Sequence, residues 1–76
     1  MIRLSELSMG KSAIITGFEK NEMQIKLMEM GCVPGERITV DKKAPLGDPI
    51  SILVAGYNLS LRKKEADNIW VEEESN

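Results

Sequence analysis

Apolar residues alternate with other residues on both sides of one glycine between Ile50 and Leu61, with Ile50, Ile52 and Val54 before Gly56 and Leu59 and Leu61 after it. Successive side chains of an extended chain point to opposite faces, so this spacing gathers the aliphatic groups on one face of two antiparallel strands. Glycine reaches the positive φ that a two-residue hairpin turn needs, and the spacing predicts that turn at Gly56-Tyr57. A lone hairpin is marginal in water. Its apolar face therefore demands further strands or a helix as cover, and the rest of the chain must supply them.

The remaining segments do so. Ser12 to Phe18 is dense in β-branched residues and ends at the turn-prone Glu19-Lys20-Asn21, which predicts a strand. Arg37 to Asp41 alternates around Ile38 and Val40, and a last strand at Ile69-Trp70-Val71 points Ile69 and Val71 inward and Trp70 outward. Glu22 to Met30 reads as a helix, with Asn21 as N-cap and Gln24 at capping-box spacing. Met23, Leu27 and Met30 share one face, which Ile25 and Met28 broaden. Gly31 suits the left-handed position after the helix, Cys32 the next position that packs back on Leu27, and Pro34 forbids continuation. Leu4 and Leu7 imply a short helical turn before the first strand, and Arg62 to Asn68 another before the last. Five short strands and one inserted helix predict a mainly β fold, a small, partly open barrel. One domain is expected over residues 1–73. The acidic stretch from Glu72 onward reads as solvated, with 74–76 a frayed tail.

Composition narrows the chemistry. The 76 residues hold no histidine, one cysteine and three aromatic residues, with ten basic against twelve acidic side chains. A chain of this size buries only about 60% of its unfolded surface, which leaves little room for an enclosed active site beside a core. Without histidine no Ser-His or Cys-His nucleophile pair exists, so an enzyme is not expected. A single cysteine forms no internal disulfide and points to a reducing compartment, hence the cytoplasm. No signal-peptide pattern follows Met1, and the longest aliphatic run, Ile52 to Ala55, is far short of the roughly 18 residues of a membrane span. Any membrane role is expected to act through a partner.

The individual motifs carry less. Gly10-Lys11-Ser12 matches the end of a phosphate-binding loop, but the first glycine of that motif would fall at Ser5, and the segment leads into a strand. Cys32 with Met28, Met30 and Glu29 has soft-metal character but no second thiol or imidazole, and core packing explains it better. The basic clusters Lys42-Lys43 and Arg62-Lys63-Lys64 hold half of the positive charge. The acidic isoelectric point of about 5.1 and the scarcity of aromatics argue against nucleic acid as a partner. The loop Ala44-Pro45-Leu46-Gly47-Asp48-Pro49 cannot continue a ladder and should be rigid, and loops on rigid scaffolds concentrate binding residues. Two placements are open to Leu46: an apolar anchor at the loop tip, or a plug folded over the barrel end. Trp70 likewise either faces a partner or covers the barrel seam. Partner contact is expected at Leu46 and Trp70 with Lys42 and Lys43, an apolar anchor beside a charged rim. Exposed sheet edges leave self-association open.

Taken in order, Leu4-Ser5-Glu6-Leu7, Gly10, Ile15-Thr16-Gly17, Leu27-Met28-Glu29-Met30-Gly31, Pro34-Gly35, Pro45-Leu46-Gly47-Asp48-Pro49 and Leu61-Arg62-Lys63-Lys64-Glu65-Ala66 resemble the FeoA family. The resemblance spans nearly the whole chain. It implies an SH3-like barrel with an inserted helix, similar to the C-terminal domain of iron-dependent repressors. It also implies an accessory role in bacterial ferrous iron uptake, acting on the cytosolic GTPase part of the membrane permease FeoB, with no activity or cofactor of its own. It marks Gly31, Pro34, Gly35, Pro45, Gly47, Asp48, Pro49 and Arg62 as family positions. The alternative reading is a stand-alone divalent-metal sensor related to the repressor domain, using carboxylates and Cys32.

Overall fold

A computed structural model describes residues 1–74. Its strands are β1 (Ile2–Arg3), β2 (Ser12–Phe18), β3 (Arg37–Lys43), β4 (Ile50–Val54), β5 (Tyr57–Leu61) and β6 (Ile69–Glu73), with helices α1 (Met23–Glu29) and α2 (Lys63–Ala66). A 3₁₀ turn at Leu4–Glu6 follows β1. All strand pairings are antiparallel, in the order β1-β6-β2-β3-β4-β5 within one open, curled sheet. The core lies on its concave side, where Ala13, Ile15, Ile38, Val40, Ile50, Ile52, Val54, Leu61, Ile69 and Val71 are buried, with Leu4, Leu7, Leu27, Cys32 and Ala66 closing it. The mainly β, partly open barrel is thus present, with six strands. The extra one, β1, is only two residues long and exists through its pairing with Val71 and Trp70, so no local periodicity announces it.

Helix α1 stops as its sequence dictates. The Cys32 N–H donates to the Leu27 carbonyl (3.0 Å) and the Gly31 N–H to that of Met28 (3.0 Å), with Gly31 at φ +104°. These are the two bonds of a Schellman motif, and Cys32 packs in the core with Leu27. The start differs from expectation. The Asn21 Oδ1 accepts from the Met23 N–H (2.8 Å), but Gln24 closes no capping box; its N–H donates to the Asn21 carbonyl (3.2 Å). Ile25 and Met28 do not broaden the buried face, since both are exposed, because the helix rests on the sheet through Leu27 with Met23 and Met30 beside it.

Three further expectations are corrected. The hairpin turn is Ala55-Gly56, at φ +51° and +83°, so Val54 pairs with Tyr57. Positive φ at both central residues is the turn whose twist suits a hairpin, and it moves every pairing by two residues while leaving the same side chains on the same faces. Strand β3 runs past Asp41 to Lys43, with its register shifting between Val40 and Lys42. The acidic stretch is exposed at Glu72 and Glu73, as expected, but it continues the sheet instead of fraying: Glu72 and Glu73 pair with Ile14 and Ala13, and the Glu74 N–H donates to the Ser12 carbonyl (3.0 Å). Ser75 and Asn76, in the expected tail, lie outside the described residues.

Candidate functional site

The bulge in β3 decides where its two lysines go. Strict alternation from Ile38 and Val40 would turn Lys42 into the core, but the shift at Asp41 pairs Lys42 with Ser51 and Lys43 with Ile50. Lys42 therefore stays on the exposed outer face, and Lys43 reaches over the barrel end to donate from Nζ to the Ser5 carbonyl (3.1 Å). The Ser5 hydroxyl in turn donates to the Asp67 carboxylate, and the other Asp67 oxygen lies 3.5 Å from the Lys63 ammonium. The Lys63 N–H donates to Asp48 Oδ1 (3.1 Å), which returns the chain of contacts to the loop that begins at Lys43.

This circuit fixes the proline loop from outside, and two internal bonds fix it from within: Ala44 N–H to the Pro49 carbonyl (3.1 Å) and Gly47 N–H to the Ala44 carbonyl (2.7 Å). Leu46 sits at its tip and is 93% exposed. The plug placement is thereby excluded, and a large aliphatic side chain is presented on a loop whose ends cannot drift. Lys42 stands at the base of this loop with no ion-pair partner among the described residues.

Trp70 is not part of this cluster. It lies on the outer face of β6 opposite Arg3 and Gly17, half-buried, with the Arg3 guanidinium 4.8 Å from its ring centroid. Arg3 is held there by Glu19 (3.2 Å), so the ring is covered by a cation rather than offered freely.

The family positions have structural work. Gly31 ends α1, and Gly35 lets the turn after Pro34 return its N–H to the Ile15 carbonyl (2.8 Å). Pro45, Gly47 and Pro49 shape the Leu46 loop, Asp48 caps the first turn of α2, and Arg62 is the N-cap residue of that helix. One charged residue was missed in the sequence. Glu65 is the buried carboxylate of the molecule among the described residues, accepting from the Arg62 N–H (2.8 Å) and pairing with Lys26 (3.2 Å). The backbone bond from Arg62 and the Lys26 ammonium hold its carboxyl below the usual range despite burial. The spacing Arg62-x-x-Glu65 is the signal that would have found it.

The groups considered for metal are not assembled. Cys32 is fully buried, and burial with the nearby Glu65 carboxylate pushes its thiol up to about 11, so it is protonated near neutral pH. Among the described residues no three His, Cys, Asp or Glu side chains converge as ligands. Gly10-Lys11-Ser12 opens β2 rather than a helix, as its sequence context required. Among the described residues no helix is long and apolar enough to cross a membrane.

A six-stranded antiparallel sheet curled around one core, with a helix inserted between its second and third strands, is an SH3-like architecture, shared with a zinc-complexed FeoA of Stenotrophomonas maltophilia described as a prokaryotic SH3 domain protein (28% identity, TM-score 0.82, covering 95% of this chain and 91% of that one). Residues 2–73 match the FeoA domain family, and the chain belongs to it. A FeoA-like protein of Clostridium acetobutylicum, solved by NMR, is 39% identical with a TM-score of 0.92, covering 99% of this chain and 88% of that one. In Porphyromonas gingivalis an Fe(2+) transport protein A/Fe(2+) transporter FeoB fusion protein is 43% identical over 72 residues, which are 93% of this chain but 8% of the fusion. A manganese-dependent transcriptional repressor shares the fold alone (18% identity, TM-score 0.85, 95% of this chain and 41% of that one).

Proposed function

We propose that this chain is a non-enzymatic accessory subunit of ferrous iron uptake that docks, through the Leu46 loop, on the cytosolic GTPase part of the permease FeoB and modulates it. The observation that carries this reading is the fusion relative, in which a segment 43% identical to this chain is continuous with the transporter. Covalent linkage of two modules raises their local concentration for each other, which is useful only where they act at one place. On this reading the chain works at the cytosolic face of the membrane.

Leu46 supplies the apolar anchor and Lys42 the charged rim, while Lys43 and Asp48 act by holding the loop. A preset loop loses little conformational entropy on docking, so a small contact suffices. Trp70, held under Arg3, stands outside the contact.

The test is an anaerobic titration of the chain against full-length FeoB with GTP hydrolysis followed in parallel. Saturable binding that Leu46→Asp weakens, with the thermal midpoint unchanged, is the expected result, and a changed hydrolysis rate makes the role regulatory. Binding unaffected by Leu46→Asp removes the loop from the interface. No binding in either nucleotide state overturns the accessory reading.

A further inference from the structure

The sheet order leaves β5 hydrogen-bonded to β4 alone. With Ala55-Gly56 as a two-residue turn, Val54 and Tyr57 form the bonded pair next to it, and alternation makes Ile52–Leu59 and Ile50–Leu61 the other bonded pairs. The N–H and C=O groups of Asn58 and Ser60 therefore point away from β4, and among the described residues they have no backbone partner. Both residues are exposed.

Natural edges are usually blunted by charge, proline, bulges or shortness. The opposite edge, β1, has two residues and carries Arg3. By contrast β5 has five, Tyr57-Asn58-Leu59-Ser60-Leu61, with no charge, no proline and an unbroken register to β4. Neither charge, proline nor a bulge blunts it.

We propose that this edge is a self-association surface, where two copies of the chain pair antiparallel about a two-fold axis at Leu59, Asn58 of each opposite Ser60 of the other. The edge itself selects this register. An axis at Asn58 would pair Ser60 with Gly56 inside the turn. An axis at Ser60 would pair Asn58 with Arg62, whose N–H is engaged by Glu65 and whose carbonyl accepts from the N–H groups of Glu65 and Ala66. Only the Leu59 axis uses groups that are all free. It also sets the partly buried Leu59 side chains against each other and Tyr57 beside Leu61 of the second copy. Arg62 and Lys63 then face Gly56 and Ala55, so no like charges are directly opposed.

Sedimentation of the purified chain over a range of concentrations, with amide hydrogen exchange on the same samples, tests this. The expected result is a reversible dimer in which the Asn58 and Ser60 amides are protected in proportion to the dimer fraction. Ser60→Pro, which deletes an outward N–H, raises the dimer dissociation constant at least about tenfold. Asn58→Lys, which places two ammonium groups near the axis, does the same without altering the backbone and serves if the proline variant does not fold. A monomer at all concentrations, or a dimer whose Asn58 and Ser60 amides exchange freely, overturns the proposal. So does protection of those amides only on adding the cytosolic part of FeoB, which would assign the edge to a partner strand.

Discussion

The Tyr57 hydroxyl, at the tip of the β4–β5 hairpin, donates to the Met30 carbonyl at the end of α1. It satisfies a carbonyl that the last turn of a helix leaves without an intrahelical partner. It also ties the inserted helix to an element 27 residues away in sequence. Gly31 lies directly beneath: a Cβ there would collide with the Tyr57 hydroxyl and lie 3.3 Å from Cζ.

Gly31→Ala should therefore destabilise the fold through both the positive φ and the collision, by about 2 kcal/mol or more in urea unfolding. Tyr57→Phe alone should cost about 1 kcal/mol. In the double variant the two losses should sum to more than is observed, because removing the hydroxyl relieves the clash. Strict additivity would show that the two residues do not share this contact.

Cys32 should resist modification. With its thiol buried and its pKa raised to about 11, labelling by a disulfide reagent at neutral pH should follow global unfolding, not a direct reaction. The pH dependence follows in sign: the folded pKa lies above the ordinary 9.0, so this stabilisation is complete below about pH 9 and is lost as pH rises through about 11. Immediate stoichiometric labelling of the native protein would contradict the burial.

Glu65 works in the opposite direction. Its folded pKa is lowered from the ordinary 4.5, first by the Arg62 N–H and then by Lys26. Its contribution is present above that ordinary value and is lost as pH falls through the lower folded one. Glu65→Ala removes the α2 capping bond and leaves Lys26 unpaired, at a cost of about 1–2 kcal/mol. Denaturant melts between pH 6 and pH 3 should show the stability difference between the wild-type protein and the variant shrinking as pH falls below about 4.5.

Asp48→Ala separates positioning from contact. It removes the bond to the Lys63 N–H from an exposed carboxylate, so stability should fall by only about 0.5–1 kcal/mol. Binding to FeoB should weaken severalfold because the loop carrying Leu46 is released. Unchanged affinity would mean that the loop needs no such restraint.

The stretches legible in the sequence were those whose structure is determined within a few residues. The Schellman end of α1 at Gly31-Cys32-Pro34, the alternation of Ile50, Ile52 and Val54, and the rigid proline loop each follow from local φ preferences and side-chain period. The ordered run of motifs from Leu4 to Ala66 carried the family as well.

Tertiary structure alone decided the rest. A period of two is unchanged when a hairpin slips by two residues, so alternation could not choose Ala55-Gly56 over Gly56-Tyr57 as the turn. Nor could it foresee the bulge at Asp41 that sends Lys42 outward and Lys43 to Ser5. The exposure of Leu46, the covering of Trp70 by Arg3 and the Tyr57–Met30 bond all depend on how a curled sheet brings distant segments together. Local spacing sets which face a side chain occupies, whereas register and sheet curvature set what that face meets, and these are properties of the whole packed chain.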